Sequence, residues 1–397
     1  MDAKFATVGQ EDCLTLNVYR PTVYSVGVDT YGDDAPELSY DVVASGDLPV
    51  VVWVHGGDGR WGTAGSPWYD GAALADAQMV LVVTVNYRLG LFGAMAHPAL
   101  DAESGGSGAW GAHDVVLALK WVQNNIAAFG GDPAKVTLMG QDTGADMVVQ
   151  FMCAQPAQGL FSSAVALGSQ SHGYRSKAYA DQLGAEAVAA LDCSLAAGQG
   201  DAALRACLRG APAEAVLTVS EQLAEASPTL QHHMAVDGLL FTHRPYEALA
   251  AGAGTTCSRI PFFIGSEFDA ANYYGYRSGL EKVEDSDMIK LGRAMVLMSP
   301  SAQLLDEHER MAGMEDVIKA RARRMVNKYY ARYGNSSDAS QRDAYYNLWT
   351  HAKFACHAKR VAAFLAPYAP TYMMMFNRGN PSYQVRLLIT EIDLDVF

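Results

Sequence analysis

Apolar runs closed by glycine-rich turns recur along the first 170 residues. Leu48 to His55 and Met79 to Val85 are almost continuously apolar, and Val136 to Met139 is a shorter run of the same kind. Strands buried on both faces have this pattern, and turn residues mark where each ends. Leu14 to Val18 instead alternates apolar and polar residues and soon meets Pro21, which predicts a strand with a stop. Asp114 to Phe129 reads as a helix closed by Gly130-Gly131-Asp132-Pro133. Residues 22 to 47 are mostly polar and read as a loop or insertion. Residues 170 to 230 are rich in Ala, Leu and Glu. Asp285 to Gly334 is dense in Arg, Lys and Met. Both stretches read as helical. Strands alternating with helices predict an α/β chain with a mostly parallel central sheet and helices on both faces.

The stretch Gly140-Gln141-Asp142-Thr143-Gly144 stands out against this pattern. It lies between the strand Val136 to Met139 and a helix expected from Ala145 onward. Two glycines around a central residue, between strand and helix, form the frame of a nucleophile elbow, G-x-S-x-G. The glycines are required because the turn is strained and its backbones pack closely. The central residue here is Asp142, not serine, so the frame is present without its usual nucleophile.

Composition narrows the possibilities. The net charge of −14 argues against nucleic acid and anionic membrane surfaces as partners. No apolar run is long enough for a transmembrane segment, and Met1-Asp-Ala-Lys-Phe5 lacks the apolar core of a signal peptide. Six cysteines allow one or two bridges, too few for a disulfide-built scaffold. Asn335-Ser336-Ser337 is a single glycosylation sequon. His232-His233 is an adjacent pair without a supporting carboxylate cluster, so no metal site and no cofactor are expected.

Several motifs occur in a recognisable order. They are Glu11-Asp12-Cys13-Leu14 with Leu16-Asn17-Val18, His55-Gly56-Gly57, and Asn86-Tyr87-Arg88-Leu89-Gly90. Trp121-Val-Gln-Asn-Asn-Ile126 with Phe129-Gly-Gly-Asp-Pro133 follows, then Gly159-Leu160-Phe161, Gly265-Ser266 and Tyr372 to Phe376. Together they resemble the type-B carboxylesterase/cholinesterase family. The resemblance implies an α/β-hydrolase fold, read here as one domain over residues 1–397, with helical insertions that wall the active-site gorge. It implies secretion or an extracellular setting. It also implies that the family's first strands and its last helix lie outside this chain. Cys193 and Cys207 sit where the family has a local disulfide. Cys13 and Cys356 resemble cysteines whose partners lie in the missing ends, so both are expected unpaired unless another chain supplies partners. Cys153 and Cys257 have no evident partner and read as small core residues.

The same resemblance locates the catalytic positions. The nucleophile position is Asp142. The acid of the family's G-x-N-x-D-E-G pattern aligns with Ala270 in Gly265-Ser-Glu-Phe-Asp-Ala-Ala271. The base is absent, because no histidine follows His357. The oxyanion hole fares better: Gly56 and Gly57 keep its backbone, and Thr143 follows the nucleophile position. Asp58-Gly59-Arg60-Trp61 departs from the family pattern. An acidic Asp58 disfavours an oxyanion there; alternatively, the Asp142 carboxylate itself fills the hole. The leading expectation is a carboxylesterase-like domain without ester hydrolysis, kept for binding or assembly, as in neuroligins, neurotactin and thyroglobulin. Its expected partner is another protein chain, in a homo-oligomer or a larger assembly covering the Leu14 to Tyr19 strand and the Leu387 to Phe397 tail. One alternative is a hydrolase with a relocated base, for which His172 is a candidate. The other is an enzyme using Asp142 as nucleophile. A histidine within reach of Asp142 separates these readings.

Overall fold

Strand formation follows the apolar runs. The computed structural model describes residues 9–24, 40–41, 47–170, 175–226, 234–252, 257–267, 284, 286–290, 315–334, 337–376 and 386–387. Its strands are Leu16–Tyr19 (β1), Val23–Tyr24 (β2), Tyr40–Asp41 (β3), Leu48–Val54 (β4), Leu81–Val85 (β5), Gly131–Gln141 (β6), Ser163–Leu167 (β7), Phe262–Glu267 (β8), Thr371–Phe376 (β9) and Arg386–Leu387 (β10). One eight-stranded sheet runs in the order β1-β5-β4-β6-β7-β8-β9-β10. Its six inner strands pair parallel, while β1 and β10 lie antiparallel at the two edges. All five residues of β5 are buried, as expected of a parallel strand covered on both sides. The strands β2 and β3 pair with each other within the stretch read as a loop.

Helices flank the sheet: Ala72–Gln78 (α1), Gly90–Ala94 (α2), Pro98–Ser104 (α3), Trp110–Asn125 (α4) and Thr143–Phe151 (α5). Helix α4 begins four residues before the expected Asp114 and passes into a tighter turn at Ile126–Phe129. Gly130 ends that turn at φ 92°, where its N–H reaches the carbonyls of Ile126 and Ala127. All nine residues of α5 are buried. The helical reading of 170 to 230 corresponds to Lys177–Ala190, Ser194–Ala197, Asp201–Gly210 and Ala213–Ala226. Glu315–Tyr333 covers part of the second helical stretch. One continuous core joins the inner strands, α4, α5 and the helix Cys356–Leu365.

The register between β4 and β6 positions everything that follows. Val54 pairs with Gly140, and the ladder jumps only near its start, between Leu48 and Val50. Pro49 and Pro133 lie at that jump, and neither has an N–H to contribute. The chain steps from β4 outward to β5, then crosses back over β4 to reach β6. The order therefore reverses at β4, and the loops after β4 and β6 emerge side by side at the carboxyl ends of their strands. Open α/β sheets bind ligands at such a switch point.

Cys193 and Cys207 are joined, 14 residues apart. The reading of Cys153 and Cys257 as separate core residues is corrected: they form a second disulfide across 104 residues. The end of α5 and the approach to β8 meet there, with the Ser258 N–H 2.6 Å from the Met152 carbonyl. Sequence gave no local signal for a contact made only by adjacent strands of the finished sheet. Cys13 and Cys356 are free and partly buried, and burial raises both thiols above their ordinary pKa.

In the chain-entropy account, closing the shorter loop stabilises by about 3 kcal/mol and the longer by about 4.7 kcal/mol. Urea denaturation of the Cys193→Ala/Cys207→Ala and Cys153→Ala/Cys257→Ala variants should therefore rank the second as the more damaged. Retention of full stability by the second variant counts against the bridge.

Candidate functional site

The turn after β6 holds Asp142 at φ 54° and ψ −123°, a region that non-glycine residues rarely occupy. Such a conformation costs on the order of 1–3 kcal/mol and persists only where surrounding contacts enforce it. The contacts are visible. The Asp142 N–H donates to the Leu167 carbonyl of β7, 3.0 Å away. Gly144 packs against the end of β4: a Cβ there would come within 2.2 Å of the Val54 carbonyl. Gly56 is equally constrained, since its Cβ would lie 2.7 Å from the Cβ of Asp142. Glycine is required at both positions by this close approach of two backbones.

The carboxylate of Asp142 lies in the loop that follows β4. Its Oδ2 accepts the N–H groups of Gly57 and Asp58, each at 3.0 Å, and the Thr143 hydroxyl at 3.3 Å. Its Oδ1 accepts the side-chain amide of Gln170. Of the sequence candidates, Gly57, Thr143 and Asp142 are thus brought together. Gly57 and Asp58, rather than Gly56 and Gly57, supply the loop's amide donors to Asp142, and Thr143 contributes its hydroxyl. Gly56 serves by lacking a side chain. The acid position, Ala270, lies outside the described residues. So do His172, His232, His233, His308, the sequon positions Asn335 and Ser336, and the tail from residue 388.

The amide-bearing loop is fixed by the motif residues. Tyr87 donates its hydroxyl to the His55 carbonyl at 2.7 Å, and burial holds this phenol well above its ordinary pKa, so it stays a donor. The His55 ring stacks 4.5 Å from that of Tyr87, and its Nδ1 lies 2.8 Å from the Gly56 carbonyl. Nδ1 must carry the proton, since a carbonyl only accepts. Further along, Ala64 is tied down by Asn17, Thr84 and Asn86. Arg88 in turn grips Asp114 of α4 with two guanidinium bonds of 2.7 and 2.8 Å. Arg60, at a position where this chain departs from the family pattern, pairs with Glu221 on the helix Ala213–Ala226.

A second, wholly buried chain of polar groups lies behind the elbow. Ser169 donates to Asp146 at 2.8 Å, and the Gln170 N–H reaches the same oxygen. With the Ser169 proton engaged, its oxygen accepts from His357 Nε2 at 3.1 Å, while Tyr246 donates to His357 Nδ1 at 2.5 Å. His357 is fully buried and sits two residues beyond the π-helical turn His351–Ala355. Sequence reading named Asp58 for its charge but missed its amide as a donor, and it missed Gln170 and this chain. The signal for Gln170 lay in topology: Leu167 pairs with Gln141, so the segment after β7 must pass the elbow.

Each described histidine is engaged elsewhere: His97 caps α3, His113 meets Asp237, His243 meets Thr242, and His351 meets Tyr329. Among the described residues no histidine bonds to Asp142. Nor does any group of three or more His, Cys, Asp or Glu there form a metal site. No described helix is long and apolar enough to cross a membrane.

With this geometry in view, a sequence profile of the Carboxylesterase family matches residues 1–388. The chain belongs to that family. It is 41% identical over 157 residues to the fumonisin B1 esterase of Sphingopyxis macrogoltabida, covering 39% of this chain and 25% of that protein. It is 35% identical over 195 residues to mouse (Mus musculus) neuroligin-3, covering 46% of this chain and 23% of that protein. The match thus spans about a quarter of each of these two relatives. A solved structure of PNB esterase superposes with a TM-score of 0.66 at 27% identity, over 95% of this chain and 68% of that one. The carboxylesterase-family chain therefore has the α/β-hydrolase fold.

Burial lowers the pKa of His55, so folding favours its neutral ring. The unfolded chain then takes up this proton first as pH falls below about 6.5. Stability due to His55 is present above that pH and lost as pH drops through the lowered value of the folded state. Denaturation midpoints measured between pH 7 and 5 should fall more steeply for the native chain than for His55→Phe. Parallel slopes contradict this assignment.

Proposed function

We propose that this carboxylesterase-family domain does not hydrolyse esters and acts as a binding or assembly module. One observation carries the reading: the Asp142 carboxylate accepts the N–H groups of Gly57 and Asp58, on the loop that in this fold helps polarise a substrate carbonyl. An oxyanion hole works by meeting charge that develops during reaction. A fixed anion already on Gly57 and Asp58 removes that function and repels a second negative oxygen. The serine nucleophile is replaced as well, and an aspartate nucleophile still needs a base to activate water. Similarity to named esterases reflects the shared frame, whereas chemistry resides in the site. Similarity to neuroligin-3 is compatible with a binding role. The partner we propose is another polypeptide. In support, β1 is an edge strand of the main sheet among the described residues, and Leu14 just before it is 46% exposed. Open edges readily pair with other chains.

The purified chain should not turn over p-nitrophenyl acetate or butyrate faster than an albumin control, and a fluorophosphonate probe should leave it unlabelled. Asp142→Ser alone should stay inactive, since an unassisted serine is a weak nucleophile. Stoichiometric labelling of the native chain, or turnover by the single variant, defeats the reading.

A further inference from the structure

We infer that the loop amides remain a working carboxylate-binding site whose ligand is supplied in cis, and that a free carboxylate takes the place of the Asp142 side chain once it is cut back. The inference rests on the same placement of Asp142 as the reading above, but not on the absence of hydrolysis. The donors converge on the Asp142 carboxylate from separate elements. Gly57 and Asp58 come from the loop after β4, Gln170 from the segment after β7, and Thr143 from the first residue of α5. None of these elements depends on Asp142 for its own main connections. Tyr87, the His55 ring and the Ala64 contacts hold the first loop. The Gln170 backbone is held by Asp146, and α5 is held by the core. Truncating the side chain therefore leaves the donors in place around a vacated volume.

That volume has a defined size. Replacing Asp with Gly removes a carboxymethyl group, whose atoms are those of acetate. Replacing Asp with Ala removes only the carboxylate, whose atoms are those of formate. Glycine also accepts the backbone conformation at position 142 without strain. The surroundings favour an anion: two loop N–H groups, the Gln170 amide and the Thr143 hydroxyl converge there. Gly57, Thr143 and Gln170 are buried, whereas Asp142 and Asp58 are partly exposed, which leaves a path for a small solute. The Asp58 carboxylate opposes binding, so an affinity on the order of millimolar is expected of so small a ligand. In the native chain the tethered carboxylate is present at high effective concentration and excludes its free counterparts.

The test is rescue by the severed group. Full-length Asp142→Gly and Asp142→Ala are melted in sodium acetate, sodium formate, sodium chloride and acetamide at matched ionic strength. At ten times its dissociation constant, a ligand of the folded state shifts the folding equilibrium about 11-fold. The expected result is a saturable rise in Tm for Asp142→Gly with acetate above formate, the reverse order for Asp142→Ala, and no selective effect on the native chain. Failure of both variants to prefer a carboxylate over chloride overturns the inference, as does an equal response to neutral acetamide or an equal gain by the native chain. Should Asp142→Gly not fold in chloride, its recovery on refolding in acetate supports the inference. Its failure there, with no formate preference in Asp142→Ala, refutes it. Hydrolysis of p-nitrophenyl esters by the native chain would remove the functional reading and leave this ligand exchange standing.

Discussion

The parallel pairing of β4 with β6 is the constraint on which this structure depends. With Val54 opposite Gly140, the next residues of both strands must share one small space. That crowding selects glycine at positions 56 and 144 and forces position 142 into a left-handed turn. It also brings the amides of Gly57 and Asp58 within hydrogen-bond range of whatever side chain stands at 142. An aspartate there takes two backbone donors and a side-chain amide. The strain of the turn is met by contacts that a smaller side chain cannot make.

The rest of the site is a hierarchy of supports. Residues that look like recognition motifs in the sequence prove to be braces. Asn17 and Asn86 hold Ala64, Tyr87 holds His55, and Arg88 holds Asp114. None of them hydrogen-bonds to Asp142. Their place beside an elbow that carries an aspartate follows from the shape of the loop, which rests on them whatever chemistry it serves. Buried polar groups that lose a partner cost more than the bond they made. Tyr87, buried at 2% exposure, is a brace of that kind.

Most of the fold was legible because it rests on runs of like residues. Val50 to Val54, Leu81 to Val85 and the glycines of the elbow announce parallel strands and a tight turn without help from distant sequence. The donors around Asp142 were less legible. Asp58 donates through its backbone, which side-chain identity does not report. Gln170 reaches the site only because β7 lies beside β6. The Cys153–Cys257 bridge was invisible for the same reason: two residues 104 positions apart meet through the order of strands. His357 illustrates the limit on polar groups. Its sequence neighbours are helical, and nothing in them indicates a buried bond to Ser169.

That long bridge also changes what a cut in the backbone means. The interval from Cys153 to Cys257 contains β7, the helices between Lys177 and Ala226, and the smaller Cys193–Cys207 loop. It is a covalent ring threaded into the sheet through β7. A protease that nicks it once, at any bond outside the smaller loop, opens the ring but releases no fragment. The elbow half and the β8–β9 half stay on one molecule, joined by sulfur as well as by the sheet. In an oxidising setting the helical insertion can therefore be clipped while the chain remains, by mass, a single piece.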